Sequence, residues 1–176
     1  MNKRPAGLQL SGIKRMLLYA LDRDCRCDRM VKRSIELWSR GGLFNKALAY
    51  VLWNHVRKRY GCNIYPGITV GKDLKVTEYQ WILIGKTTVL GDHVVIYPGV
   101  DIIAKVTGDD ARLARRERRH ATIGSNVILG NNCTIIGPVT IGDDCIIDIG
   151  AVVTHDIPPH SIVSGINVIR EKKRGG

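Results

Sequence analysis

The sequence predicts a mainly β chain: a left-handed parallel β-helix of six-residue repeats, with an N-terminal α-helical segment and one long excursion loop. Three observations predict it. Aliphatic residues recur at a period of six from Ile64 onward. The 62 residues before them carry apolar residues at helical spacing instead. Between two blocks of repeats lies a basic stretch with no period at all. The boundaries follow: residues 1–62 helical, 63–170 a β-helix whose loop spans 104–121, and 171–176 a basic tail.

In the N-terminal segment, Leu10, Ile13, Leu17, Leu18 and Leu21 share a helical spacing within residues 8–21. A second run covers Met30 to Trp38 and closes at Gly41-Gly42. A third runs from Leu43 to Tyr60, with Leu43, Ala47, Tyr50, Val51 and His55 expected down one buried face, and Gly61 to end it. Amphipathic helices packed on the next element are the simplest reading. Lys and Arg flanking the apolar face also allow peripheral association with an anionic membrane.

From Asn63 the period is neither that of an amphipathic helix nor that of a hairpin. Ile64, Val70, Val76 and Ile82 are six apart; the phase slips by two to Ile84, Leu90, Ile96 and Ile102, then resumes at Ile123, Leu129, Ile135, Ile141, Ile147 and Val153. Four positions after many of these comes a small or β-branched residue: Thr88, Val94, Val100, Val127, Cys133, Val139, Cys145 and Ala151. Each unit is one short strand plus a corner. Three units make an eighteen-residue triangular coil, and stacked coils bury a core that no single repeat could bury. Gly after the aliphatic residue, as in Ile84-Gly85 and Leu90-Gly91, is expected to supply the positive φ of the corner.

Composition narrows the function. The net charge is +11, and residues 1–62 hold 14 Lys and Arg against 4 Asp and Glu, so the basic surface is local and suits a polyanionic partner such as nucleotide phosphates. Charge alone argues weakly for nucleic acid. No stretch reaches the roughly 20 apolar residues of a membrane span, and Lys14 and Arg15 break any signal-peptide core, which points to the cytoplasm. The five cysteines fit no zinc spacing and read as reduced, incidental thiols.

In order, the chain has a helical segment, Asn63-Ile64-Tyr65-Pro66, Gly-rich hexads, a basic loop ending in Arg119-His120, then Ile157-Pro158-Pro159-His160 and Gly165. This order resembles the serine acetyltransferase family, including acetyltransferases of surface-polysaccharide clusters, over roughly residues 34–170. The resemblance implies a homotrimer with acetyl-CoA as co-substrate in a groove between coils, no metal, and a histidine base that lets an acceptor hydroxyl attack the thioester directly. It places the family's second active-site histidine on His120, after Arg119. The family's main catalytic histidine falls on Glu78, preceded by Thr77, and the aspartate that orients it falls on Asn63. The family's Asp-Ile-His-Pro is Asn63-Ile64-Tyr65-Pro66 here, its glycine-rich CoA segment is not reproduced around Val100 to Gly108, and its late Gly-Val-Pro-Ala-Arg is replaced by Gly165 to Arg170.

His120 and Glu78 are therefore the catalytic candidates, Asn63, Arg119 and Thr77 the substrate-binding ones, and Lys105, Arg170, Lys172 and Lys173 the cations placed for CoA phosphates. Arg115, Arg116, Arg118 and Arg119 would favour the neutral form of His120. The changed base position, the short helical segment and the final Arg174-Gly175-Gly176 disfavour serine acetylation and a cysteine synthase partner. A small-molecule acceptor of another kind, a sugar or surface-glycan precursor hydroxyl, is the expectation. Serine O-acetylation, an amine acceptor and a non-catalytic β-helix scaffold remain open alternatives. A three-histidine metal enzyme on the same coil would need ligands from among His93, His120, His155 and His160, which lack a matching spacing.

Overall fold

A computed structural model describes residues 23–105, 120–166 and 168–171. The helix expected over residues 8–21 lies outside them. Helix α1 (Arg23–Ser39) begins earlier than the apolar run from Met30 suggests, because Cys27 already lies on its buried face with Val31, Ser34 and Leu37. Helix α2 (Leu43–Tyr60) ends where Gly61 takes the left-handed conformation and its N–H bonds the Arg57 carbonyl. Its buried face is Ala49, Trp53, Val56 and Tyr60. The face expected from the sequence is the wrong one: Leu43 and Val51 are 88% and 64% exposed. The sequence carries two apolar stripes, and only packing against α1 and the coil selects between them.

The rest is a left-handed parallel β-helix of two- to four-residue strands. In chain order, β1 (Asn63–Ile64), β2 (Thr69–Val70), β3 (Lys75–Val76), β4 (Leu83–Ile84), β5 (Val89–Leu90), β6 (Val95–Ile96) and β7 (Asp101–Ala104) precede the excursion. After it come β8 (Thr122–Ile123), β9 (Ile128–Leu129), β10 (Thr134–Gly137), β11 (Thr140–Ile141), β12 (Ile146–Ile147), β13 (Val152–Val153), β14 (Ser161–Ser164) and β15 (Val168–Glu171). Successive strands visit three sheets in rotation: face A is β1-β4-β7-β10-β13, face B is β2-β5-β8-β11, and face C is β3-β6-β9-β12-β14-β15. The excursion leaves face A after β7 and returns to face B at β8 without disturbing the register, Val89 opposing Thr122. The last strand, β15, breaks the pattern by turning back antiparallel on β14.

The hexad aliphatics form the axis of the core. Ile84, Ile96, Ile102, Leu129, Ile135, Ile141 and Ile147 are fully buried, and the second ladder from Thr88 to Ala151 is buried with them. The slip by two is a corner of Thr77 to Trp81, two residues longer than its counterpart one coil on, as the pairings Lys75–Val95 and Leu83–Asp101 require. Tyr79 in this corner turns inward and its O–H donates to Asp28 Oδ1 at 2.5 Å, tying α1 to the coil; burial pushes its phenol far above the usual range.

The glycines that follow the aliphatic residues do not supply the positive φ. That conformation falls two residues later, on Asp73, His93, Asn126, Asp144 and His160, types with short polar or ring side chains that tolerate it. The glycines are there because coils touch: a Cβ on Gly91 would lie 2.7 Å from the Gly124 backbone. Aspartates close the corners, Asp92 and Asp143 at the B–C edge and Asp156 at the A–B edge, each accepting a backbone N–H of the preceding coil at 2.7 Å, from Lys72, Ser125 and Thr140. The four cysteines described at side-chain level are buried, and burial pushes the Cys133 thiol up to about 12, which leaves it protonated and unsuited to nucleophilic work.

Candidate active site

Alternation along face A fixes what points outward. Ile64, Ile84 and Ile102 face the core, so the residues on either side of each face out. Register then stacks two outward columns, Asn63-Leu83-Asp101 and Tyr65-Gly85-Ile103. The first rung of this face is walled by α2. Trp53 Nε1–H donates to Asn63 Oδ1 at 3.1 Å, and the Trp53 and Tyr65 rings lie 4.5 Å apart.

His120 enters this face from above. Its backbone sits on the edge between faces A and B, where the excursion rejoins the coil. Its ring swings back over Gly85 and occupies the space where a Cβ there would be. Thr87 anchors it: Thr87 Oγ1 lies 2.6 Å from His120 Nδ1 and accepts the His120 backbone N–H at 3.2 Å. When Nδ1–H donates to that hydroxyl, Nε2 presents its lone pair on the outer face, the tautomer a general base needs. Burial first, and the positive charge of Lys86 second, hold the imidazole pKa below its ordinary value. Both effects favour the neutral ring. The arginines of the excursion, expected to have this effect, lie outside the described residues, as does Arg119.

The other candidates are dispersed. Glu78 is exposed in the widened corner between faces C and A, with Thr77 beside it donating to the Ile96 carbonyl at 3.3 Å. A whole face of the coil separates that corner from His120, so one chain does not bring Glu78 and His120 together. Asn63 does share His120's face. Its oxygen is engaged by Trp53, which leaves its amide N–H groups as donors. Lys105 is exposed on the same edge as His120 and Lys86. Arg170 lies in β15, paired with Ile162, its side chain undescribed, and Lys172 and Lys173 lie outside the described residues. His93 and His160 stand at corners beside Asp73 and Asp144, at 3.4 and 3.3 Å, and among the described residues no three His, Cys, Asp or Glu side chains converge as a metal site would require.

Sequence reasoning missed Thr87 and Gly85. The register supplies the signal: counting back two residues from the paired Thr122 and Val89 sets His120 over Thr87.

Residues 120–155 match the family described as bacterial transferase hexapeptide (six repeats). Serine acetyltransferase 4 of Arabidopsis thaliana is 35% identical over 74% of this chain and 34% of its own length. The chain carries hexapeptide repeats of this transferase family over residues 120–155 and is similar to serine acetyltransferases. The solved Neisseria gonorrhoeae serine acetyltransferase in complex with serine superposes on this hexapeptide-repeat protein with a TM-score of 0.71 at 28% identity, covering 88% of this chain and 59% of that one. A serine acetyltransferase solved in complex with CoA gives 0.66 at 22% identity, over 83% and 55% of the two chains, and shares the fold. The hexapeptide-repeat protein thus spans about a third of the plant relative and little more than half of each solved chain.

Proposed function

We propose that the chain is an acetyl-CoA-dependent acyltransferase that O-acetylates a small hydroxyl compound, with His120 as general base and serine as the acceptor. The observation that carries this is the His120 ring, held by Thr87 and laid over Gly85 on the outer face A. Nε2 takes the hydroxyl proton as the oxygen attacks the thioester carbonyl; the tetrahedral intermediate expels the CoA sulfur, and the imidazolium returns the proton to it. No covalent enzyme intermediate is needed. The Asn63 amide would donate to the acceptor, and Lys86 and Lys105 would give the edge the positive charge that CoA phosphates require.

Serine replaces the sugar or glycan hydroxyl suggested by the sequence because the relatives reported above are serine acetyltransferases. The loss of the usual histidine at Glu78 is then a change in how the reaction is assisted rather than in what is acetylated. Glu78 reaches a site only from a neighbouring subunit, in the homotrimer that the resemblance implies. Trp81 and Ile149, 81% and 74% exposed near that same C–A edge, are apolar surface for such a neighbour to cover.

The test is an acceptor screen with acetyl-CoA, detecting released CoA thiol. Serine should stimulate release well above hydrolysis, and hexoses should not. Stimulation by hexoses with none by serine would return the acceptor to the sugar class.

A further inference from the structure

On the sheltered outer face A, one residue is out of place chemically. Asp101 is half-buried in the outward column above Leu83, with Ile103 two residues along its own strand and Thr134 one coil further. It makes no ion pair and accepts no side-chain hydrogen bond among the described residues, and burial raises its carboxyl above the ordinary range. A carboxylate desolvated without a partner is unfavourable. The neighbouring corner aspartates 92, 143 and 156 all have backbone partners, so Asp101 is not another corner cap.

Its position relative to the base is fixed by register. Asp101 is one coil above Leu83, and Gly85, under the His120 ring, is two residues along from Leu83. With strands about 4.8 Å apart and about 3.3 Å of rise per residue, the Asp101 and Gly85 Cα atoms stand about 8 Å apart on one surface. The carboxylate and the imidazole thus stand diagonally across a patch shared with Leu83 and Ile103, with the Asn63 amide on the opposite side of Leu83. An acceptor whose hydroxyl meets His120 would present a group two or three bonds away to Asp101.

We infer that Asp101 is a specificity-determining residue that receives the ammonium group of the acceptor. This rests on the reading of face A as the acceptor site of an acyltransferase. The ammonium supplies both the charge and the donors that the carboxylate lacks, whereas a neutral polyol supplies only donors. Lys86 and Lys105, on the adjoining edge, are left for the phosphates of the donor.

The experiment separates binding from turnover. The whole chain is titrated by calorimetry with serine, ethanolamine and glycolate in the absence of acetyl-CoA, as wild type and as Asp101→Asn. Wild type should bind serine and ethanolamine and discriminate against glycolate, which lacks the amine. Asp101→Asn should lose about tenfold or more in affinity for both amines while CoA affinity is unchanged. If Asp101→Asn does not fold, Asp101→Ser replaces it. Amine affinity equal in wild type and variant, or no amine binding at millimolar concentration, overturns the inference. Asp101-dependent serine binding without any CoA release would sustain it and sink the acyl-transfer reading; CoA release that ignores Asp101 would do the reverse.

Discussion

Gly85→Ala should abolish most of the acetyl transfer while leaving the coil intact. A methyl group at this position overlaps the Cδ2 and Nε2 atoms of His120, and the three nearest atoms it would meet all belong to that ring. The backbone of Gly85 does not take the left-handed conformation, so alanine fits it without strain. The imidazole is the part that can move, and moving it breaks the 2.6 Å contact with Thr87 that orients the base. Turnover should fall by about 10²-fold or more, since misplacing a base by an ångström has that effect, with the thermal midpoint within a few degrees of wild type. Steady-state rates and a melting curve check it. The decisive control is the double variant. If the methyl acts only through the ring, adding Gly85→Ala to His120→Ala costs nothing further. Full activity in Gly85→Ala would mean that the ring's observed position is irrelevant to the reaction.

His120→Ala should lower turnover by about 10²–10⁴-fold, the usual contribution of a general base, with little change in CoA affinity. Glu78→Gln is the comparison. A solvent-exposed carboxylate a whole coil face away from His120 is poorly placed to take an alcohol proton on that face, so Glu78→Gln should have the smaller effect. Collapse in Glu78→Gln with retained activity in His120→Ala would transfer the base to the C–A corner and favour an amine as the attacking group.

The core and its coils were legible because their cause is local and periodic. An inward aliphatic every six residues leaves only one way to close three short strands around an axis, and Ile84, Leu90 and Ile102 are buried as that period requires. What the period could not show is which groups meet across coils. Thr87 and His120 are 33 residues apart, separated by an excursion without repeats, and their pairing appears only once the register on both sides of it is known. Asp101 occupies an ordinary hexad position; its lack of a partner among the described residues is a property of its neighbours. The glycines were recognised but given the wrong cause, since the same residue serves equally for a left-handed corner and for close backbone stacking. The helical face of α2 failed for a related reason. Leu43, Ala47 and Val51 make as good a stripe as Ala49, Trp53 and Val56, and tertiary contact, not sequence, chose the second.

The pH dependence of acetyl transfer from acetyl-CoA to serine tests the central claim most directly. A general base works in its neutral form, and burial together with Lys86 lowers the pKa of His120 below the ordinary histidine value. The rate should therefore rise with pH on a single ionisation below about 6.5, level off above it, and lose that step in His120→Ala. A rate that still climbs steeply between pH 7.5 and 9, in steps of roughly ten per unit, or a low-pH step that survives in His120→Ala, would contradict it.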